Sequence, residues 1–321
     1  MAKSKEHNID LTKFFDLDVP MDEIPVGPVK CHFLDSGSFT LWTKSAEYAA
    51  ANKCGRYDFY ETPEFWQYID AYSEFVKKYT VAIDLYANVD VIPNPELTLR
   101  NQEYLEEKGL KPVPVVHYTT DLKWLKFYIE RGHDLVALGG LVGSTAQDEC
   151  RSWIDRAFDI VCDTPDRMPK VKIHGFGVTS YALLLRYPWF CVDSTAWTKI
   201  GAFGGVLVPH KRGGKFVFTE QPYMIPISMD SPSTKLKGRH FSTLNAAEKN
   251  IIQEWLDLIG VKLGKFKIDS EDKIEITEFG VMTRHTERRV ANLLFFEKMR
   301  KAIPQFPFSF QSTRRKGFGL I

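Results

Sequence analysis

Three carboxylates stand where an apolar run gives way to a turn. Asp193 closes Phe190-Cys191-Val192 and is followed by Ser194-Thr195-Ala196-Trp197 and then by Gly201, Gly204 and Gly205. A strand apolar on both faces is what a parallel sheet covered on both sides requires, so an acid at its exit needs a reason. Asp35 ends Cys31-His32-Phe33-Leu34 in the same manner, with Gly37 permitting a tight turn, and Asp84 ends Val81-Ala82-Ile83. Taken singly, each acid fits the role of a helix cap or turn former. Taken together at the exits of strands in one parallel barrel they would face one cleft, because barrel sites collect at the C-terminal rim. Two chemistries suit such a set: a nucleophilic carboxylate with a second group that moves protons, as in retaining glycosidases, or hard-oxygen coordination of a metal ion.

Positioning three acids in this way requires alternating strands and helices. Strands are expected over 31–35, 81–85, 113–117, 135–142, 171–176 and 190–193, each acid or glycine signal falling at a strand end. The helix over 62–78 is the best marked, with Phe65, Ile69, Tyr72, Phe75 and Val76 at helical spacing, Thr62 as N-cap and Pro63 in the first position. Further helices are expected over 41–52, 94–108, 121–131, 146–161 and 181–187, two of them stopped by Gly109 and Gly132. Such alternation implies parallel strands joined by crossover helices, and the expected fold class is α/β, a (β/α)8 TIM-like barrel. Its two remaining strands would come from the N-terminal arm and the C-terminal third. An open doubly wound sheet is the alternative, although it would gather ligand chemistry at one switch point.

After strand six or seven a β-rich insertion of about 201–242 is expected, with 205–209 and 216–219 forming a hairpin around Arg212-Gly213-Gly214. Helices over 243–260 and 287–301 follow, then a basic tail containing Arg314-Arg315-Lys316. Residues 1–28 form a polar, proline-bearing arm, and 29–321 a single catalytic domain.

Composition excludes several classes. With 44% hydrophobic and 26% charged residues in 321, the chain has the make-up of a globular protein and not of a disordered one. Its net charge of +1 rules out a uniformly basic protein that coats nucleic acid, while leaving room for local basic patches. No stretch nears the roughly 20 apolar residues of a membrane span, and the opening residues lack the apolar run of a secretory leader, so a cytoplasmic location is expected. The five cysteines are odd in number and widely spaced, with no Cys-x-x-Cys pair, which speaks against a disulfide framework and a thiolate zinc site.

The order of motifs resembles the tRNA-guanine transglycosylase superfamily, barrel enzymes that exchange a guanine in a polynucleotide for a 7-deazaguanine. Asp35-Ser36-Gly37-Ser38-Phe39 is similar to the family's Asp-Ser-Gly-Gly-Phe/Tyr motif, with Ser38 in place of the second glycine. Ile83-Asp84 sits where the family has its Phe-Asp-Glu-Cys strand, Gly139-Gly140-Leu141 resembles its Gly-Gly-Leu turn, and His174-Gly175-Phe176-Gly177 its His/Tyr-Leu-Phe/Met-Gly strand end. Cys191-Val192-Asp193 falls at the place of the nucleophile. The agreement runs from about residue 31 to 205 and lies in the order of short motifs. The family's C-terminal Cys-x-Cys-x-x-Cys site and RNA-binding extension are absent, and His117 stands where many members have Gln. In these departures the chain resembles the shorter relatives of phages and some bacterial islands, credited with inserting deazaguanines into DNA.

The resemblance implies Asp193 as nucleophile and Asp35 as the proton-handling partner, in a double displacement that uses neither metal nor other cofactor. It implies base contacts from Asp84, His117, Gly139, Gly140, Leu141 and Gly177, and stacking on Phe39 and Phe176. A nucleotide lifted from its stack also needs cations on its flanking phosphates. The candidates are Lys199, Lys211, Arg212, Lys215, Arg288 and Arg289, with His210, Arg284 and the basic tail beside them. The expected partners are DNA and a 7-deazaguanine base, with a second copy of the chain or an accessory protein as further partners. Three alternatives stay open: the same exchange on tRNA, a non-catalytic transglycosylase-like subunit, and a metal-dependent barrel hydrolase.

Overall fold

The structure, a computed structural model, describes residues 32–141, 148–178, 180–231, 238–268 and 274–311. The chain is α/β and groups into two compact units, Met1–Pro112 and Val113–Ile321, where the sequence suggested one domain from residue 29. The N-terminal arm and the Arg314-Arg315-Lys316 tail lie outside the described residues.

In the first unit, strand β1 (Phe33–Leu34) leads into helix α1 (Ser38–Asn52), a 3₁₀ turn over Arg56–Glu61 and helix α2 (Pro63–Lys78). Strand β2 (Leu85–Tyr86) and helix α3 (Pro95–Glu107) follow, and β1 pairs in parallel with β2. Helix α2 starts as its sequence dictates: the Thr62 hydroxyl accepts the Phe65 N–H at 3.3 Å, and Pro63 fills a position whose missing N–H costs nothing. Its apolar stripe, Phe65, Ile69, Tyr72 and Val76, is buried against Leu41, Phe59, Tyr60, Val89 and Leu105. Edge-to-face rings at 5.1 and 5.4 Å, Tyr60 with Phe65 and Phe59 with Tyr60, give this core directional packing. The strand expected over 81–85 is displaced: Tyr79 O accepts from both Ala82 and Ile83 N–H in a turn that leaves Val81 in solvent, so pairing begins only at Leu85.

The second unit is built on four parallel strands in the order β3 (Val115–His117), β4 (Leu135–Gly139), β5 (Lys172–Gly175) and β6 (Cys191–Val192). The crossovers carry α4 (Lys123–Glu130), α5 (Asp148–Val161) and α6 (Tyr181–Arg186), as the alternation of patterns requires. β3 and β4 are buried throughout, as expected of parallel strands covered on both faces. Asp155 of α5 ties this layer together, accepting two hydrogen bonds from Arg186 Nη2, at 2.7 and 3.0 Å, and one from the Tyr187 hydroxyl at 2.7 Å.

Beyond β6 come α7 (Ala196–Ala202), β7 (Gly205–Val208), β8 (His210–Arg212), β9 (Lys215–Val217) and β10 (Tyr223–Pro226). Then follow α8 (Ala246–Ile259), β11 (Lys265–Ile268), β12 (Ile274–Glu278) and α9 (His285–Ala302). The insertion is β-rich as expected but paired differently. The Gly213-Gly214 turn joins the short strands β8 and β9, while β7 runs antiparallel to β10. α7 lies hard against α9: a Cβ on Gly201 would sit 2.9 Å from the Arg289 backbone nitrogen, so only glycine allows this approach. Among the described residues no helix is long and apolar enough to cross a membrane.

Near its end α9 carries Glu297, whose carboxylate accepts hydrogen bonds from Arg300 and also pairs with Lys301 at 3.0 Å. The Arg300 hydrogen bonds, opposed by partial burial and helped by Lys301, hold this carboxyl down to about 2 from an ordinary 4.5. A depressed folded-state pKa stabilises above the unfolded value, so the contribution is complete above pH 4.5 and is lost as pH falls towards 2. The pair lies near the surface and is screened, so Glu297→Gln should cost less than about 1 kcal/mol at neutral pH. The difference between the two proteins in urea unfolding should vanish by about pH 2; a difference that persists there would assign it to packing.

Candidate active site

The register of the parallel sheet sorts the site residues into rows. Val115, Ala137, His174 and Cys191 are partners across β3, β4, β5 and β6, and side chains at i and i+2 share a face. His117 and Gly139 are paired one row further along, and continuing the ladder by one residue brings Phe176 and Asp193 into that row. The backbone supports the extension: Phe176 N–H donates to Leu138 O at 3.0 Å and Asp193 N–H to Gly175 O at 3.3 Å. Four residues singled out from sequence, His117, Gly139, Phe176 and Asp193, therefore share one face at the exits of four adjacent strands.

Asp193 keeps its carboxylate half in solvent, and its Oδ1 accepts the Gly177 N–H at 2.8 Å. Gly177 can turn that N–H towards the acid because its φ is +70°. One oxygen is thus held by backbone, the other left for chemistry. His117 is buried with its ring against the Gly139 backbone, where a Cβ would come within 3.0 Å of the imidazole. Gly140 takes φ +69° and is exposed, whereas Leu141 is fully buried and presents no surface of its own to a substrate. Beside Asp193 a cavity of about 240 Å³ is lined by Val178, Val192, Trp197, Phe296 and Met299, with Arg300 at its wall. Among the described residues no group of three or more His, Cys, Asp or Glu side chains is placed to hold a metal ion.

In the first unit the acids divide. Asp35 follows β1 and is exposed, as does Phe39 one turn on, with Gly37 at φ +73° against the Tyr68 hydroxyl. Asp84 was expected at a strand exit and instead precedes β2, at the opposite end of the β1–β2 pair from Asp35. There it is largely exposed and accepts the His32 backbone N–H at 2.7 Å, the work of an acid that fastens a strand start. The acid beyond the exit of β2 is Asp90, within the buried stretch 87–91. Burial above all, with Asp35 and Asp90 among the nearby charges, raises the Tyr72 hydroxyl well above its usual value, so both carboxylates lie within electrostatic reach of one phenol. Asp90 escaped the sequence reading; its available signal was an acid inside the alternation Ala87-Asn88-Val89-Asp90-Val91, where a solvated loop would show no buried partner set.

The cations also divide. Arg288 is buried, donating to Gly201 O at 2.7 Å and Val281 O at 2.9 Å, so it braces α7 and is withdrawn as a phosphate ligand. Lys211 is engaged by Glu254, and Arg212 by both oxygens of Glu220 at 2.7 Å. Lys199 and Lys215 are exposed, and Arg289 is partly exposed. Neither protein-family models, nor curated proteins, nor solved structures provide a match to this chain.

Proposed function

We propose that the chain is a transglycosylase that exchanges guanine in DNA for a 7-deazaguanine base, on a (β/α)8-type barrel, through a covalent Asp193–sugar intermediate. One observation carries the reading: an exposed carboxylate with one oxygen tethered by the Gly177 N–H stands in the same strand-exit row as Phe176, Gly139 and His117. Breaking a glycosidic bond while keeping water from C1′ calls for a covalent intermediate. Asp193 Oδ2 attacks C1′, the C1′–N9 bond breaks, and the guanine leaves with a proton gained at nitrogen. The incoming deazaguanine gives up its N9 proton and displaces the carboxylate from C1′, which regenerates Asp193. The net exchange requires no oxidant or reductant. Asp35 keeps the proton-moving role that the resemblance gives it.

Phe176 supplies a stacking face, a type of contact that contributes about 1–3 kcal/mol per base, and Phe39 keeps its stacking role. Asp84 is left out of base recognition in this reading, since it is occupied at a strand start. Lys199, Lys215 and Arg289 are the phosphate ligands of this reading. DNA is the polymer of this reading, and tRNA is the alternative that the test separates from it.

The test is incorporation of radiolabelled guanine into duplex DNA, single-stranded DNA and tRNA by the purified full chain. Labelled DNA, with incorporation weakening as salt rises, is expected. Label in tRNA alone would replace DNA with tRNA as substrate, and label in no polymer would overturn the transglycosylase reading.

A further inference from the structure

Directly below Asp193 on the same sheet face lie His174 and Cys191, register partners on β5 and β6. His174 Nδ1 is 3.1 Å from Cys191 Sγ, and its Nε2 is 3.6 Å from Asp193 Oδ1, a few tenths of an ångström beyond hydrogen-bonding length. The imidazole side chain is almost wholly enclosed, and its ring meets Phe176 edge-on at 4.5 Å. A neutral imidazole presents one N–H and one lone pair, so what one nitrogen does fixes the other. If the thiol donates its proton to Nδ1, the ring proton resides on Nε2 and points at the carboxylate. The opposite tautomer would aim a lone pair at Asp193.

We infer that His174 is the positioning residue for Asp193, with Cys191 selecting its tautomer. Nε2–H and the Gly177 N–H converge on Oδ1 and leave Oδ2 as the attacking oxygen. The 3.6 Å separation closes when substrate fixes the carboxylate, as hydrogen bonds of unliganded sites commonly do. This role rests on Asp193 being the nucleophile of the proposed exchange. The hydrogen-bonded arrangement itself does not depend on that reading.

The experiment therefore has an arm that needs no activity. Long-range proton–nitrogen NMR on the full chain labelled with ¹⁵N-histidine reads the tautomer of each of the 8 imidazoles, and His174→Gln identifies the His174 signals. The expected wild-type state is neutral and protonated at Nε2, and Cys191→Ala should relax it to a mixture of tautomers. Protonation at Nδ1 in the wild type would overturn the inference, and a tautomer unmoved by Cys191→Ala would remove Cys191 from it. In the exchange assay His174→Phe should lower kcat by about 10²-fold, the usual effect of a small misplacement of a reacting group. KM for DNA should stay within about twofold of wild type, because the residue acts only through Asp193. His174→Gln, whose amide nitrogen can stand near the Nε2 position, should recover most of the loss. Equal losses in Phe and Gln variants, or an effect on KM alone, would overturn the positioning role. A wild-type chain that exchanges no base would sink the functional reading while the tautomers still decide the arrangement.

Discussion

Asp193→Ala is expected to lose base exchange by on the order of 10⁴-fold or more, the scale on which removal of a covalent nucleophile acts. The same variant should stay folded. Its carboxylate is about half exposed, and the hydrogen bond it gives up, to the Gly177 N–H, lies where water can replace it, so stability should change by no more than about 1 kcal/mol. Asp193→Asn sharpens the test, since it keeps the shape and an acceptor for Gly177 but has no negative oxygen to attack C1′. A covalent adduct between wild-type protein and a DNA oligonucleotide, seen on a denaturing gel, should be missing from both variants. If Asp193→Asn retained the adduct, the nucleophile would have to be another residue and the proposed chemistry would move with it.

The largest loss of stability is expected from Asn292→Ala. Asn292 lies on α9 with no exposed surface, and its Oδ1 accepts the Leu207 N–H of β7 at 2.7 Å. Its Nδ2 is shared between Trp197 O of α7 and Gly205 O of β7, each at 3.2 Å. One side chain thus bonds three backbone groups on the segment that leaves Asp193. Buried groups left unpaired cost about 1–3 kcal/mol each, and partial relaxation brings the expected total to roughly 2–4 kcal/mol. Urea unfolding of the full chain measures it, with an unchanged slope expected if only the native state is affected. A cost below about 0.5 kcal/mol would mean that the three groups find other partners, and that α7 is held chiefly by Gly201 and Arg288.

Where the sequence carried long periodic patterns it was readable. The Thr62-Pro63 start of α2 and its Phe65, Ile69, Tyr72 and Val76 stripe are as expected, and so are the four parallel strands and their crossover helices. The exits of β3, β4, β5 and β6 were placed within a few residues, which is why His117, Gly139, Phe176 and Asp193 fall together. Periodicity gave no purchase on the two-residue strand β2. Val81-Ala82-Ile83 has the composition of a strand and forms a turn, so Asp84 moved to the wrong end of β2 and Asp90 went unread. The pairing of β7 with β10 was missed because composition marks a turn without naming which of two flanking strands it joins. Arg288 and Arg289 are adjacent and identical in type, and only tertiary packing makes the first a buried brace. The His174–Cys191 pair depends on register between two strands 17 residues apart, which no local pattern encodes.

The in-register rows also set where the chain can tolerate changes of length. Successive strand residues alternate faces, so deleting one residue within Ile173–Gly175 would send His174 or Phe176 to the side opposite Asp193 and sever the row. An extra residue between α4 and β4, where Gly132 has open space around it, or in the equally open Gly213-Gly214 turn between β8 and β9, is absorbed locally and leaves every facing pair intact. Insertions and deletions compatible with function should therefore be confined to the connections, and the spacing from His174 to Phe176, and from Cys191 to Asp193, should be invariant wherever the same chemistry is inherited.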